Sequence, residues 1–411
     1  MKKLSLLCLF PLFAFAGNLP QLLNLAEQNK HVEASRYSLE AAKEQEYATK
    51  SGYMPTLSLA GNQSFNKNES MLMMAPEKSR TGSATLSLTL YDGGKREALF
   101  DQQQALVKAA TFSLASVQNN VSLNVIYYYY NYISTLASKE STLQKMEQLE
   151  AERYRLEKYL SVGSATADEL QKIISTIEQT KVDLLTLENT LNNISNTLEY
   201  LTGQEVSVES GSSVLFQEEK ANDTKRFDIL ALEESVQSAR AEAEMAKAPY
   251  LPTIKIEDNY SRFKYDFSNA APESTMNNQN TVQLTMQWKI FDFGSTSASY
   301  QAAQKMYLAK NSELTYEKDK AKASFKSAQN SYKTALAKIE AAKARLSASE
   351  TTYEYVKKKF QQGIVNNVTY LDALSDKFNA RSQLQTALNE VEYQKAVLLY
   401  EMGKEIKGAI Q

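Results

Sequence analysis

The sequence is poor in the residues that most catalytic and metal sites need. Its 411 residues include one cysteine, Cys8, and one histidine, His31. Disulfide frameworks and Cys/His metal clusters need more of these residues than the chain holds. Thiol chemistry is excluded as well if Cys8 is removed with a signal peptide. We interpret His31, close to a predicted helix start, as a solvated or capping residue rather than a ligand or base. With no nucleophile elbow and no glycine-rich phosphate loop, the sequence predicts no enzyme, no cofactor and no metal site.

The chain also has no large excess of charge of either sign. Lys and Arg number 46, Asp and Glu number 48, and the formal net charge is −2. Nucleic-acid-binding domains neutralise phosphates with an excess of clustered Lys and Arg. We therefore expect no nucleic-acid partner.

Long apolar runs are missing beyond the first residues. Two lysines precede an apolar run over residues 4–15, and an A-x-A sequence ends just before Gly17. This pattern is typical of a secretory signal peptide, so we predict one over residues 1–16, which would remove Cys8. The rest of the chain has no run of 18 apolar residues. Any passage through a membrane would therefore have to be made by strands.

Proline and glycine are scarce as well, and their positions divide the chain. None of the seven prolines lies in residues 94–205 or 294–405. Both stretches are rich in strong helix formers, and each is interrupted in its middle by one glycine, Gly163 or Gly363. The sequence predicts two long helical hairpins that turn at these glycines. The helix before Gly163 would be on the order of 100 Å long.

The chain contains an internal repeat. The string KSGYMPT at residues 50–56 returns as KAPYLPT at 247–253, and YDGG at 91–94 returns as FDFG at 291–294. A repeat kept in register over such a distance predicts two copies of one structural unit. We place the first at residues 17–210 and the second at 211–411, each with a short helix, a strand hairpin and a long helical hairpin. The predicted short helices cover residues 21–49 and 225–247.

Two segments in each copy alternate between apolar and small polar residues. The alternation is strong in residues 83–91 and 281–291 and weaker in 56–65 and 253–263. Transmembrane barrel strands have this pattern, although a half-buried soluble sheet shows it too. We favour the membrane, because the signal peptide predicts export and the helices offer no large apolar face to cover a sheet.

The predicted strands form hairpins over residues 53–91 and 250–291, with polar loops at 66–80 and 266–280. Four strands cannot close a membrane barrel, and open edges are not tolerated in lipid. The chain is therefore expected to oligomerise. Two copies would supply eight strands, and three copies would supply twelve with room for a lumen.

Taken together, the signal peptide, the repeated unit, the aromatic-Asp-x-Gly entry to each long helix and the glycine turns resemble the TolC family of outer-membrane efflux proteins. The resemblance implies a mainly α fold with transmembrane β structure: a homotrimer with a twelve-stranded barrel continued by a long α-helical barrel in the periplasm. It implies a passive exit duct of a tripartite efflux or type I secretion system, with a periplasmic adaptor and an inner-membrane pump as partners. The alternative is a periplasmic or surface coiled-coil structural protein.

The resemblance also assigns a partner surface to the helix turns. The glycines could simply be left-handed turn residues, and a tight turn can also leave a groove for a partner. The positions that match the family's adaptor contacts are Val162, Gly163, Ser164, Gln362, Gly363 and Ile364.

Beside the turns, the resemblance implies an aperture. Asp372 matches one of two aspartates that ring the family's closed aperture, and Thr369 stands at the other. Val365 replaces an expected arginine, Phe360 is its aromatic neighbour, and Glu169 matches the acidic partner in the first repeat. The family's charge-pair lock is thus mostly absent. Asp372 could alternatively be an ordinary exposed helix carboxylate.

One loop motif leaves two interpretations open. Met71, Met73 and Met74 cluster in the first strand loop. They could bind copper through their thioethers or form an apolar patch at the loop tip. The cargo of the duct, whether drugs, metal ions or proteins, stays open as well.

Overall fold

A computed structural model describes residues 15–66, 76–217, 226–267 and 276–411. The predicted signal peptide lies outside the described residues except for Phe15 and Ala16, and so do the methionines of the first strand loop. None of the described helices combines the length and the hydropathy needed to span a bilayer.

The described residues are mainly helical. Their helices are α1 Leu19–Ala26, α2 Lys30–Ser51, α3 Lys95–Ser161, α4 Ala167–Thr202, α5 Phe227–Met245, α6 Ser295–Gln361 and α7 Asn367–Glu401. Their strands are β1 Phe15–Gly17, β2 Thr56–Phe65, β3 Lys78–Tyr91, β4 Val206–Val208, β5 Thr253–Asp266 and β6 Asn278–Gln287. Short 3-10 turns lie at Ala248–Tyr250 and Lys407–Ala409.

The chain divides into two units, which we describe separately. The helical unit comprises Met1–Arg36, Ser113–Phe227 and Lys318–Gln411, and the sheet unit comprises Tyr37–Phe112 and Asp228–Glu317. The unit boundaries fall inside α2, α3, α5 and α6, so they do not coincide with the predicted repeats. The repeat boundary at residues 210 and 211 stays a prediction.

In the sheet unit, four antiparallel strands pair in the order β2-β3-β5-β6. The alternation therefore located all four strands, but four of their ends differ from the prediction, among them the start of β6, which is at Asn278 rather than at residue 281. β3 begins at Lys78 and β5 extends to Asp266, because ladder hydrogen bonds need backbone groups and not apolar side chains. β6 ends at Gln287 rather than at residue 291, and the Trp288 Nε1 instead donates a hydrogen bond to the Tyr250 carbonyl, 3.1 Å away.

The strand register gives the sheet two chemically different faces. Leu57 pairs with Leu86, and Ile256 pairs with both Leu88 and Leu284, so these side chains share one face, which we call the apolar face. The opposite, polar face is lined mainly by Ser, Thr, Asn and Gln, as at the pairs Thr56 with Ser87 and Lys255 with Thr285. Strands β2 and β6 are the edges of the sheet and are not paired with each other.

One carboxylate interrupts the apolar face. Asp258 pairs in register with Leu86 on one side and Val282 on the other. Its Oδ1 is buried and has no hydrogen-bond partner. An unpaired buried polar group costs about 1–3 kcal/mol, so this side chain lowers the stability of the sheet.

Replacing this carboxylate is expected to stabilise the protein. Asp258→Leu should raise the thermal unfolding midpoint in detergent, because leucine continues the apolar face and removes the unpaired oxygen. Glu257→Gln, one residue away on the polar face, is the matched control and should leave the midpoint unchanged. A lower midpoint for Asp258→Leu would show that the carboxylate has a stabilising partner in the assembled protein.

Each strand pair passes into a long helix through an aspartate and a left-handed turn. Asp92 Oδ2 accepts hydrogen bonds from Arg96 N at 3.1 Å and Arg96 Nε at 3.0 Å. Asp292 Oδ2 accepts one from Thr296 N at 3.0 Å. The backbone between aspartate and helix has positive φ at Gly93 (71°) and at Phe293 (53°). The aromatic-Asp-x-Gly motif is thus the helix start of α3 and α6, where an aspartate satisfies free backbone N–H groups.

In the helical unit, the predicted short helix over residues 21–49 is wrong as a single helix. It is two helices, α1 and α2, separated at Asn29. The Asn29 amide donates to the carbonyls of Tyr200 (3.2 Å) and Leu201 (2.9 Å), and its Oδ1 accepts from His31 N (2.8 Å). A side chain that satisfies backbone groups on both sides makes the break favourable without Pro or Gly. The exposed His31 therefore stands in the first turn of α2.

The main core of the helical unit lies around α1. Leu19, Leu22 and Leu23 are buried against residues of α3, α4 and the 404–410 segment, among them Tyr129, Leu198 and Ile406. Beside this core, β1 pairs in parallel with β4, and Val214 bridges to Ile410. These short pairings tie the segment over residues 206–215 to both ends of the described chain.

Candidate functional site at the helix turns

The two helical hairpins turn in the same way. Gly163 and Gly363 have φ values of 71° and 72°, in the left-handed region that favours glycine. The following residue closes each turn, since Ser164 N donates to the Tyr159 carbonyl (2.8 Å) and Ile364 N donates to the Lys359 carbonyl (2.9 Å). This is the Schellman arrangement of a helix end. The prediction of turns at both glycines is confirmed.

The turns present apolar side chains to solvent. Val162 is 71% exposed and Ile364 is 65% exposed. The other predicted contact residues, Ser164, Gln362 and the two glycines, are exposed too. Each turn therefore combines one exposed branched apolar residue with exposed backbone at the glycine.

Two residues predicted near the aperture cap the helices that follow the turns. Glu169 Oε2 accepts a hydrogen bond from Thr166 N at 3.1 Å. Thr369 donates to Asn366 Oδ1 through its N (3.0 Å) and its Oγ1 (2.9 Å). Glu169 thus completes the capping box of α4, and Asn366 is the N-cap of α7, held by both groups of Thr369.

A buried asparagine that the sequence did not reveal joins the two turns. Asn367 is 2% exposed, and its Nδ2 donates to the Glu169 carbonyl, 3.1 Å away. Its Oδ1 has no partner. The contact connects the start of α7 to the start of α4, so the two hairpins are held together at their ends.

Next to the turns, the Phe360 ring contacts the Tyr370 ring and the Arg155 guanidinium. The Phe360 ring stacks on Tyr370 with centroids 4.7 Å apart, and the Arg155 guanidinium lies 4.7 Å from the same ring. Arg155 Nη2 also pairs with Glu152 at 2.5 Å. Burial raises the pKa of Glu152, and the hydrogen bond from Arg155 opposes this shift. Phe360, predicted as an aperture residue, thus connects α3, α6 and α7.

A small core continues from Phe360 along the hairpins. The Tyr353 hydroxyl donates to Gln148 Oε1 at 2.7 Å, and the Lys377 ammonium lies 4.4 Å from the Tyr353 ring centre. Burial and the Tyr353 hydroxyl raise the pKa of Tyr370. The buried apolar members are Leu149, Leu156, Ile173, Ile177, Leu371, Leu374 and Phe378.

Asp372 lies apart from this core. It is exposed on α7, on the face that also carries Thr369 and Asp376. Among the described contacts, Asp372 has no ion pair or hydrogen bond, and none joins it to Glu169. The partly buried Val365 supplies no charge at the position where the resemblance implies arginine. Asp376, one helical turn beyond Asp372, is also exposed, and the four-residue spacing of the two aspartates puts them on one helix face.

Comparisons with known proteins agree with this architecture. The family model described as outer membrane efflux protein matches residues 22–204 and 221–402. Outer membrane protein TolC of Escherichia coli K12 is 21% identical over 403 residues, covering 90% of this chain and 79% of TolC. The toluene efflux pump outer membrane protein TtgC of Pseudomonas putida is 22% identical over 376 residues, covering 87% and 76%.

The solved structure of CusC matches with a TM-score of 0.83 at 18% identity, over 97% of this chain and 96% of CusC. This likeness extends the agreement to the fold of both units. Because the family model matches nearly the whole described chain in two parts, the protein belongs to the outer membrane efflux protein family.

Proposed function

We propose that the protein is the passive exit duct, in the outer membrane, of a tripartite efflux or type I secretion system. The observation that carries this proposal is the four-stranded sheet, which has one apolar face, one polar face and two open edges. A lone sheet of this kind leaves backbone groups unpaired in lipid. Identical copies would remove the edges by pairing β6 of one with β2 of the next.

Three copies would give a barrel of twelve strands, enough for an aqueous lumen. The apolar face, with Leu57, Leu86 and Leu284, would face lipid, and the Ser, Thr and Gln side chains of the polar face would line the lumen. Apart from Lys255 and Glu257, most of these polar groups are small and uncharged, which suits a duct that passes many solutes without binding any tightly. The duct does no chemistry, so energy would come from an inner-membrane pump.

The helical part would lie in the periplasm and contact an adaptor through its turns. The exposed Val162 and Ile364 would be the apolar contacts, and Gly163 and Gly363 would let the adaptor backbone approach closely. Neither glycine has an atom within 4 Å of where a Cβ would stand. The surface around them is therefore open to a partner.

Closure of the aperture at the helix turns would rely on side-chain packing more than on charge pairs. Glu169 and Thr369 are engaged in capping, and Val365 carries no charge. The contacts of Phe360 with Arg155 and Tyr370 would instead hold the turns inward. Threefold symmetry would place Asp372 and Asp376 in two carboxylate rings at the constriction.

Purification and electrical recording test the proposal. The full chain should fractionate with outer membranes, run as a heat-sensitive trimer in detergent and conduct ions in planar bilayers. A monomer that stays soluble without detergent and conducts nothing would instead support the coiled-coil structural protein. The cargo would follow from the pump that co-purifies with the duct.

The carboxylate rings predict cation selectivity. Two unit charges 4 Å apart in water interact by roughly 1 kcal/mol, about a fivefold preference. Asp372→Asn should therefore lower the cation-to-anion permeability ratio, and the double variant with Asp376→Asn should lower it further. Glu205→Gln removes an exposed carboxylate outside the helices and is the control. An unchanged reversal potential in both variants would remove Asp372 and Asp376 from the aperture.

A further inference from the structure

The apolar face of the sheet becomes basic at its loop end. Arg80 pairs in register with Lys264, and Arg262 pairs with Gly82 in the neighbouring row. By the register, these three cations stand on the same face as Leu86 and Ile256. We call Arg80, Arg262 and Lys264 the basic patch.

A depression lies beside the basic patch. Gly61 pairs with Gly82 across β2 and β3, so two adjacent positions of the face have no side chain. A Cβ built at either glycine would meet no atom within 4 Å. The resulting open groove has a volume of about 730 Å³ and includes all three cations in its lining. The lining also contains the uncharged residues Gln63, Phe263 and Asn277, so the three cations are its charged groups.

The charge of the basic patch is only partly compensated. Arg80 lies 3.6 Å from Asp266, and both side chains are about half exposed. No carboxylate of the described residues pairs with Arg262 or Lys264. An exposed pair like Arg80 with Asp266 is weak, so the groove has an excess of positive charge and two cations available to an anion.

The surroundings of the patch indicate what kind of anion would fit. The next row of the same face holds Leu59, Ala84 and Tyr260, and the apolar rows continue beyond it. The ligand must therefore present anionic groups next to hydrocarbon. Arg and Lys bind phosphate through charge-assisted hydrogen bonds, and basic pockets on membrane proteins bind phosphorylated lipid headgroups.

We propose that the basic patch binds the phosphates of a phosphorylated glycolipid of the outer leaflet, of the lipid A type, whose acyl chains lie on the apolar face. This inference rests on the proposed membrane placement. Strands β2, β3, β5 and β6 join helices at one end and loops at the other, so periplasmic helices put the loop end in the outer leaflet. The glycine pair then leaves room for the bulky sugar headgroup close to the backbone.

Native mass spectrometry of the full chain in detergent tests the site. The probes are lipid A with two phosphates, the same lipid A after removal of its phosphates, and inorganic phosphate alone. The wild-type protein should bind the phosphorylated lipid about tenfold or more tightly than the dephosphorylated one, since at least two charged hydrogen bonds differ. Equal binding of the two lipids would overturn the proposal without any variant. Equal binding of inorganic phosphate would also overturn it, by assigning the site to a free anion.

A pair of double variants locates the site. Arg262→Gln with Lys264→Gln should lose this preference for phosphates, whereas Lys255→Gln with Lys289→Gln removes two exposed cations near the helix end of the sheet and should keep it. Retention of the preference in the first double variant would contradict the assignment.

Conductance of the same samples separates this inference from the proposed function. A protein that conducts but binds both lipids equally lacks the lipid site. A protein that binds the phosphorylated lipid but never conducts is not a duct.

Discussion

Gly93→Ala is expected to reduce the amount of folded protein in the outer membrane more than tenfold. A Cβ at this position would stand 2.5 Å from the Ala248 carbonyl oxygen and 3.1 Å from Leu251 Cβ. The clash with Ala248 involves backbone, so one chain segment must move. Such overpacking costs about 1–3 kcal/mol, and the φ of 71° adds about 1–2 kcal/mol for a non-glycine residue.

The neighbouring glycine provides the control for this prediction. Gly94 also has a positive φ, 84°. A Cβ added at Gly94, however, would have Glu97 Oε2 as its nearest atom, 4.0 Å away. Gly94→Ala therefore carries the backbone strain without the clash and should lower the folded amount only slightly. The folded amount is measured as heat-modifiable oligomer in outer-membrane fractions. Equal levels for the two variants would mean that Gly93 does not set the approach of β3 to Ala248–Tyr250.

Phe360→Ala is expected to give a channel that opens far more often. The ring joins Arg155 on α3 to Tyr370 on α7, both at 4.7 Å, so its loss disconnects three helices next to the turns. Truncating a well-packed Phe costs about 3–5 kcal/mol, and the partial exposure of Phe360 lowers this figure. Even about 1.4 kcal/mol would change a closed-to-open ratio tenfold. We expect at least a tenfold rise in open probability in planar bilayers.

An exposed aromatic residue on the same helix tests whether this effect is specific. Tyr355 is 64% exposed and precedes Phe360 by five residues. Tyr355→Ala should leave the open probability unchanged. If Phe360→Ala instead lowers the thermal stability and leaves the closed state as frequent as in wild type, the ring supports folding and has no part in closure.

Side-chain type and period predicted most of the secondary structure. The left-handed turns at Gly163 and Gly363 follow from glycine's backbone freedom, and the four sheet strands follow from alternation of apolar and polar residues. The prediction was wrong where local hydrogen bonds decide. Asn29 breaks a helix through contacts with Tyr200 and Leu201, which are about 170 residues away in the chain.

The candidate site was predicted less completely. The turn residues could be found because glycine marks them, whereas the buried role of Asn367 depends on a contact with the Glu169 carbonyl from the other repeat. Likewise, the aromatic and charged contacts of Phe360 need partners on two other helices. Sequence spacing gives neighbours within one helix, and it does not give the pairing of helix faces.

The 404–410 segment has a consequence for the order of folding during export. The Asn119 side chain donates to the Lys404 carbonyl and accepts from Ile406 N, and the Ile406 side chain is fully buried beside Leu19 and Val214. These contacts satisfy groups in α1, α3 and the 206–215 segment that are translocated much earlier. Until residues 404–410 reach the periplasm, the main core of the helical unit has an unfilled position. A chain whose 404–410 segment is still in transit therefore cannot complete this core, and assembly into oligomers would wait for that segment to arrive.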